Sequence, residues 1–359
     1  MVLNLQLTIT LSLFLVSLNI FLTSSLDIIN HSATALIDGE ILKQPFLAGL
    51  NYPQVQWVDL NEDGSNELFV LDEDGCIKVY NYVLSNEGLS DSFFEIIDTA
   101  YGGLCGMSWF SIKDINQDEQ LDLVCQSLES SNEVQIYDII NDEFFLLATL
   151  LDDSGFPIIS DSVMVPTFAD IDGDGDLDFF TGNQIGTVTF YENVGVFNEI
   201  PLFHLVSFEW QNIWVVGPSR EDRHGANAIN FIDIDSDGDL DLFIGSDSGK
   251  ISFYMNTGNS LDMSLDFVTD NFFDIDVGTR SHPSFIDIDS DSDYDLIVGS
   301  SSQNIKIYRN IGDVYQANYI EDYCINIPYY GMNTKPDFYI KDNHIFNLVG
   351  LSTGGLVNS

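Results

Sequence analysis

A nine-residue acidic stretch recurs five times in this chain and constrains its fold more than any other feature. Its fullest form, DIDGDGDLD, occupies Asp170–Asp178. Carboxylates packed this closely repel one another, so a compact loop of this kind needs a cation among them. The five copies begin at Asp59, Asp114, Asp170, Asp233 and Asp287. The sequence therefore predicts a metal-binding loop that is used once in each repeated unit.

The spacing of the copies indicates one repeated structural unit. Successive loops begin 55, 56, 63 and 54 residues apart. A tyrosine in an alternating strand pattern follows 21 residues after the loop start in four copies and 23 in the second. A period near 55, with short alternating strands and almost no amphipathic helix pattern, is typical of a repeated four-stranded sheet. Because one such sheet cannot bury both of its faces, we expect an all-β β-propeller of radially stacked sheets.

The loop positions predict how an ion is held. Side-chain oxygens at positions one, three, five and nine converge on it, and position seven adds a backbone carbonyl. Glycine at position six permits the tight bend, because it takes positive φ without a Cβ clash. Calcium suits this oxygen-rich set better than magnesium, which prefers fewer protein ligands. The candidate metal-binding residues are Asp59, Asn61, Asp63, Ser65 and Glu67; Asp114, Asn116, Asp118, Gln120 and Asp122; Asp170, Asp172, Asp174, Asp176 and Asp178; Asp233, Asp235, Asp237, Asp239 and Asp241; and Asp287, Asp289, Asp291, Asp293 and Asp295.

The loops differ in completeness, so we expect up to five ions bound with unequal affinity. The third and fourth loops are complete and rank first. The first loop substitutes Asn61 and Glu67, and the fifth has Ser292 in place of glycine. The second ranks last, with Glu119 at position six and Asn116 at position three. An EF-hand is excluded, because it requires a glutamate at position twelve, where the third loop has Thr181, and flanking helices.

Composition narrows the class of partner. With 57 acidic and 11 basic residues the net charge is -46, which repels nucleic acid and anionic membranes. A hydrophobic content of 45% is ample for a packed core. The four cysteines are too few for a disulfide framework. Cys105 and Cys125 flank one loop and are placed to pair, although a role as small buried hydrophobes is favoured for each cysteine.

The N-terminus predicts export. An apolar run from Leu5 to Leu22 is followed by Thr23-Ser24-Ser25, so residues 1–25 are interpreted as a secretory signal peptide. An uncleaved single-span anchor is the alternative and would be the only membrane attachment. Residues 26–50 form an N-terminal segment with a candidate strand at Ile41–Leu47. Residues 51–359 contain the repeats. We expect a secreted or cell-surface protein.

The repeated units resemble FG-GAP repeats, also called VCBS-type repeats, which form the blades of the integrin α-subunit propeller. The resemblance rests on the acidic loop, on strands such as Leu240–Gly245, and on a tyrosine strand ending in Asn-x-Gly, as at Tyr254–Gly258. It covers about Val55 to Gly312 and extends weakly to Gly350. It implies calcium in the loop between the first two strands of each blade, and usually seven blades.

Blade number stays open at this point. A decayed sixth unit begins at Pro336, where Lys341–His344 replaces the acidic loop, and the sequence ends at Ser359 before a tyrosine strand. Six units are therefore visible and the last is incomplete. Either the strand at Ile41–Leu47 completes a six-bladed ring, or the propeller is a truncated seven-bladed one.

The 63-residue interval indicates an insertion, Phe208–Gly225, on the face opposite the acidic loops. Aromatic rings beside basic side chains suit protein or glycan contacts. No paired base and nucleophile is evident, so the interpretation is a non-catalytic binding or adhesion protein with an unknown protein or glycan ligand. The alternatives are a structural module of a larger surface protein and, less favoured, a polysaccharide-active enzyme or its accessory domain. The candidate ligand-face residues are Trp210, Trp214, Arg220, Arg223 and His224.

Overall fold

The computed structural model describes most of the repeat region. No helix in its described part is long and apolar enough to cross a membrane. The predicted signal peptide or anchor, residues 1–25, lies outside that part. The described residues are 35–37, 40–42, 54–72, 74–83, 93–129, 132–160, 166–183, 186–215, 228–259, 261–300, 304–326, 335–341, 344–350 and 356–358.

The described chain is built of short strands that follow one another in antiparallel sheets. A hairpin of β1 (Ala35–Ile37) and β2 (Glu40–Leu42) precedes five blades. The blades are: one, β3 (Gln54–Val58), β4 (Glu67–Leu71), β5 (Ile77–Val83) and β6 (Phe93–Asp98); two, β7 (Phe110–Lys113), β8 (Asp122–Gln126), β9 (Val134–Ile140) and β10 (Glu143–Thr149); three, β12 (Thr167–Ala169), β13 (Asp178–Gly182), β14 (Val188–Phe197) and β15 (Ile200–Ser207), preceded by β11 (Leu151–Asp152); four, β16 (Ala228–Ile232), β17 (Asp241–Gly245), β18 (Ile251–Asn256) and β19 (Leu265–Thr269); five, β20 (His282–Ile286), β21 (Asp295–Gly299), β22 (Asn304–Asn310) and β23 (Tyr319–Asn326). A last sheet contains β24 (Lys335–Lys341), β25 (His344–Gly350) and β26 (Leu356–Asn358).

The second strand of each blade is buried on both faces, and this determines how the blades stack. In β13, Phe179 packs into the core between blades two and three, while Phe180 packs between blades three and four. In β17, Leu242 faces blade three and Phe243 faces blade five. Adjacent side chains of a strand point to opposite faces. One apolar strand therefore supplies two neighbouring cores, as the radial stacking expected from the sequence requires.

In the part of the chain that the structure describes, the fold is an all-β β-propeller with five four-stranded blades. The expected count of six or seven blades is corrected, because the described residues of the last unit, in β24, β25 and β26, form a three-stranded sheet. Its first strand β24 nevertheless lies beside β20 on one side and β3 on the other. In the described N-terminal residues, β2 pairs with β1, and residues 43–47 of the candidate closing strand lie outside the description. In addition, β11 pairs in parallel with the outer strand β15.

The cysteine expectation requires a correction. Cys76 and Cys105 form a disulfide, and Cys125 is fully buried without one. The reason is a backbone contact: the chain leaving blade one folds over the turn between β4 and β5, where Gly106 N and Met107 N both donate to Gly75 O. That contact brings Cys105 to Cys76. Cys125 lies in β8, where it packs into the core between blades one and two, and there the prediction of a small buried hydrophobe is confirmed.

Candidate functional site

All five acidic loops join the first and second strands of their blades and share one backbone path. Position six takes positive φ in every copy, including Glu119 (φ 68) and Ser292 (φ 78). The predicted bend is therefore present even where glycine is replaced, at the cost of local strain. Position four also takes positive φ in every copy, which the sequence did not suggest, since only the third loop has glycine there. The position-four residues are Glu62, Gln117, Gly173, Ser236 and Ser290.

The first aspartate of each loop organises the backbone. In the fourth loop, Asp233 Oδ1 accepts from Asp237 N at 3.1 Å and its Oδ2 accepts from Gly238 N at 3.1 Å. The first, second and fifth loops repeat this pair of hydrogen bonds. In the third loop Asp170 bonds Gly175 N and, instead of position five, Gly173 N. Position one therefore shapes the loop and leaves further oxygen lone pairs for an ion.

The ninth residue ties the loop to the rest of the blade. Asp178 is 1% exposed; its Oδ2 accepts from Ile171 N at 3.3 Å and its Oδ1 from Asn193 N at 2.8 Å. Asp241 and Asp295 make the same two bonds in blades four and five. The side chain of Asn193 in turn accepts from Gly195 N. The Asn-x-Gly motif is thus a connector between the loop and the next hairpin, a role that sequence reasoning missed.

Three loops gather carboxylates closely enough to hold a cation. In each, one oxygen from each of three aspartates lies within 4.8 Å of the others. The third and fourth loops use positions one, three and five, and the fifth uses positions one, three and nine. The groups are Asp170, Asp172 and Asp174; Asp233, Asp235 and Asp237; and Asp287, Asp289 and Asp295.

Buried oxygens without partners support a cation at these loops. Among the described atoms, Asp176 Oδ1, Asp235 Oδ1 and Asp293 Oδ1 are buried and accept no hydrogen bond. Asp176 and Asp293 are each only 6% exposed. An unpaired buried carboxylate oxygen is costly unless a hydrogen bond or a metal satisfies it. The donor set therefore fits calcium, which binds carboxylates and carbonyls in a flexible oxygen shell.

Burial raises the pKa of several loop carboxyls in the metal-free geometry. It raises the pKa of Asp178 to about 8, and that of Asp122 and Asp241 to about 7. The pKa of Asp176 also rises to about 7, mainly through burial and then through the neighbouring Asp174. A divalent cation would oppose both causes, because it stabilises the ionised form of every carboxylate around it.

The first two loops replace a carboxylate at position three with an amide. Asn61 Nδ2 donates to Glu67 Oε1 at 3.2 Å, and Asn116 Nδ2 donates to Asp118 Oδ2 at 3.4 Å. An amide donor relieves carboxylate repulsion without an ion. The second and third loops also touch, since Gln117 Nε2 donates to Gly175 O at 2.8 Å.

The candidate ligand face is only partly described. Trp210 is 5% exposed and packs among Phe180, Phe190 and Phe231, so it belongs to the core. Trp214 is 51% exposed. Val215 N donates to Gly186 O at 2.8 Å, which places Trp214 beside the turn between β13 and β14. The remaining candidates, Arg220, Arg223 and His224, lie outside the described residues.

The predicted insertion begins later than expected. The 3₁₀ turn Trp210–Asn212 has a counterpart after blade four, Phe272–Asp274, and both carry positive φ at their second and third residues. Val277 N donates to Gly249 O there, as Val215 N does to Gly186 O. The turn is therefore a repeat feature, and the additional residues of the long interval follow Val215, in the undescribed segment 216–227.

Two segments match a known family, the FG-GAP-like repeat: residues 114–181 and 233–298. Each contains two acidic loops, the second with the third and the fourth with the fifth. The protein carries FG-GAP-like repeats. The first loop and the three-stranded sheet lie outside the matched segments. No curated protein sequence matches the chain.

Several solved structures resemble this chain weakly. An Agrocybe aegerita lectin that recognises non-reducing terminal N-acetylglucosamine is 15% identical with a TM-score of 0.46, and the alignment covers 87% of this chain and 80% of the lectin. BBS1N, solved in complex with ARL6DN, is 14% identical with a TM-score of 0.42 over 87% and 80% of the two chains. The Photorhabdus luminescens Tc holotoxin pore is 15% identical with a TM-score of 0.45, over 86% of this chain and 14% of its own. Likenesses this weak carry no argument about function.

Proposed function

We propose that this protein is a calcium-stabilised propeller that works outside the cell by binding a protein or a glycan and catalyses no reaction. One observation carries the proposal: three acidic loops each bring three carboxylates together, and each of these loops contains a buried carboxylate oxygen without a partner. Calcium neutralises such a loop and fixes the strand hairpin that it connects.

Two features support a location outside the cell. FG-GAP-like repeats are typical of extracellular proteins. The Cys76–Cys105 disulfide forms on the surface that faces away from the acidic loops, and disulfides persist mainly in oxidising compartments. Calcium is abundant in those compartments, so loops of modest affinity would be filled there.

The binding surface is proposed on the face opposite the acidic loops. On that face the chain leaving a blade closes over the turn between its second and third strands, as at Gly75, Gly186 and Gly249. Gly186 has φ +91, and a Cβ there would meet Val215 O at 2.2 Å, so this contact requires glycine. The exposed Trp214 is held beside it. A rigid turn that presents an aromatic ring suits a protein or glycan contact.

Calcium binding is tested by isothermal titration of chelator-treated protein, with magnesium as the matched control. We expect heats for several calcium ions per chain and much weaker heats for magnesium, which requires a stricter octahedral shell. A titration without calcium heat would overturn the metal part of the proposal, whatever the ligand is.

Ligand binding is tested separately, with a glycan array and a pull-down from extracellular fluid. Trp214→Ala should abolish capture of the identified ligand. Phe197→Ala is the matched control, because Phe197 is 72% exposed and lies in the hairpin that Asn193 connects to the third loop, on the acidic face. Equal capture by both variants would contradict the proposed surface. Turnover of a polysaccharide by the wild-type protein would contradict the non-catalytic part.

A further inference from the structure

One acidic loop is contacted by an arginine. Arg309 lies in β22, and its Nη1 bonds Asp289 Oδ2, the third position of the fifth loop. Its Nε and Nη2 both lie 3.1 Å from Asp322 Oδ2. The guanidinium thus lies between the carboxylate of Asp322 in β23 and the carboxylate of Asp289 in the fifth loop. Asp289 is one of the three carboxylates that come together in that loop.

The corresponding residue in the other blades is neutral or acidic. This residue directly follows the strand tyrosine that recurs in every blade, so the repeat itself aligns the five positions. Asp138 in blade two lies close enough to Asp118 of the second loop to raise its own pKa, after the larger contribution of burial. The fifth loop is therefore distinguished by a cation that is part of the chain. The corresponding residues are Asn81, Asp138, Glu192, Met255 and Arg309.

We propose that Arg309 acts as a tethered cation for the fifth loop: it neutralises Asp289 in the metal-free protein and thereby lowers the calcium affinity of this loop below that of the third and fourth. The inference rests on the proposed calcium binding. It adds that the loops differ in calcium affinity, and that the fifth loop keeps its shape when calcium is scarce.

The physical reason lies in the difference between the metal-free and metal-bound states. Affinity is set by that difference, and Arg309 stabilises the metal-free loop by offsetting carboxylate repulsion. Once calcium is bound, the same guanidinium is repelled by the ion. The Arg309 and Asp289 side chains are each 33% exposed, so solvent screens the interaction. We therefore expect removal of this charge to tighten calcium binding on the order of tenfold.

The fifth loop can be observed by itself. It has a tyrosine at position eight, Tyr294, where the other loops have Asn66, Leu121, Leu177 and Leu240. Terbium(III) takes calcium sites and luminesces when a nearby tyrosine is excited. The Tyr294→Phe variant identifies the part of the signal that comes from the fifth loop. Calcium competition against that part then measures the affinity of this loop.

The experiment compares Arg309→Gln with wild type and with Arg280→Gln. Arg280 is the matched control, because it forms a comparable exposed ion pair, with Asp247 at 3.2 Å, away from the acidic loops. Arg309→Gln should shift the Tyr294-dependent calcium midpoint about tenfold to lower concentration, following the charge estimate above. Arg280→Gln should leave it unchanged. Arg309→Lys, which keeps the charge, should fall between wild type and Arg309→Gln and guards against a folding defect, checked by circular dichroism.

The outcomes separate the two proposals. Calcium binding with the same Tyr294-dependent midpoint in wild type and Arg309→Gln would overturn the role of Arg309 and leave calcium binding intact. A midpoint at higher calcium concentration in Arg309→Gln would overturn that role too, because it would show that the arginine helps to form the calcium site. Absence of calcium heat in the wild-type titration would overturn the proposed calcium binding and, with it, this inference.

Discussion

The first and third acidic loops have the same backbone bend but different side-chain chemistry. In the third, Asp178 accepts two backbone N–H groups, and a second buried carboxylate, Asp176, keeps an unpartnered oxygen. In the first, Glu67 accepts from Leu60 N at 3.3 Å and from the amide of Asn61. In the third loop the carboxylates thus carry charge that the proposed calcium ion would offset, whereas in the first loop an amide donates to one of them.

Blade one has a compensating bond elsewhere. The Cys76–Cys105 disulfide fastens the opposite end of its sheet, where blade three relies on the packing of Trp210 and on the bond from Val215 N to Gly186 O. Blade one thus has a covalent bond, whereas blade three has an acidic loop for which calcium is proposed. Dependence on calcium and dependence on redox conditions should therefore be found in different blades.

The largest effect should come from Asp178→Ala. It removes the acceptor of two backbone N–H groups in a residue that is 1% exposed, and we expect a loss of about 4 kcal/mol in the free energy of unfolding. Urea denaturation measures it. Asp178→Asn is the control, because it keeps one oxygen acceptor and should lose less. If Asp178→Ala and Asp178→Asn unfolded at the same urea concentration, the role of the two bonds would be disproved.

Removing the disulfide should have the next largest effect. The Cys76→Ser and Cys105→Ser double variant should lose about 3.5 kcal/mol, because the bond closes a loop across a sequence separation of 29. The loss should be the same with and without calcium, since distant sites act additively. Wild-type protein under reducing conditions is the control and should match the variant. A loss that vanished in calcium would contradict the separation of the disulfide from the calcium loops.

Calcium removal should lower stability by about 2.7 kcal/mol for each site that was held at a hundredfold excess over its dissociation constant. Melting should shift down by several degrees on chelation. Hydrogen exchange should locate the change, with faster exchange at Ile171 and Asn193, whose N–H groups Asp178 accepts, than at Leu60. If hydrogen exchange accelerated equally in the first and third loops, or if the chelator left the melting curve unchanged, the contrast between these loops would be disproved.

Glu67→Ala should have a smaller effect, about 1 kcal/mol. Glu67 accepts from one backbone N–H at 3.3 Å and from one side-chain amide at 3.2 Å, and both bonds are only partly buried. Asp178 accepts from two buried backbone N–H groups, so its loss should cost more. The measurement is the same urea titration, with Glu67→Gln as the isosteric control. A loss of unfolding free energy equal to that of Asp178→Ala would mean that the ninth residue stabilises the first and third loops equally.

A change of pH should distinguish the second loop from the third least, because buried carboxyls in both have a raised pKa. Burial raises the pKa of Asp122 in the second loop to about 7 and of Asp178 in the third to about 8, from 3.8. The folded state then keeps protons that the unfolded state has released, so the stability of metal-free protein falls as pH rises from about 4 to about 8. Melting in chelator at a series of pH values checks this. Stability that rose over that interval would show the opposite sign.

Local features were predictable from sequence because they repeat. The loop bend at position six, the burial of Ile171 and Ile234, and the two-sided burial of the second strands follow from spacing and alternation. The difference in burial between Trp210 and Trp214 was not predictable, because it depends on positive φ at Gln211 and Asn212 within the connecting turn. That turn buries the first ring and exposes the second.

Features that depend on contacts between distant segments were not predictable. The Cys76–Cys105 pairing depends on how one connection crosses one turn, which residue spacing alone does not reveal. The salt bridge between Arg309 and Asp289 joins residues that spacing does not relate. Its signal was present in the repeat alignment, as one basic residue in a position that is otherwise neutral or acidic. The blade count was wrong because, among the described residues, the last unit forms three strands, β24 to β26, and no sixth four-stranded blade.

The hydrogen bond from Gln117 to Gly175 O has a consequence for titration curves. It joins position four of the second loop to position six of the third, so the weakest-ranked loop is attached to one of the strongest. An ion that orders the third loop also restricts the backbone against which Gln117 rests, and the second loop then loses less entropy when it fills. The second loop should accordingly fill at a lower calcium concentration in wild type than in Gln117→Ala, which lacks this bond.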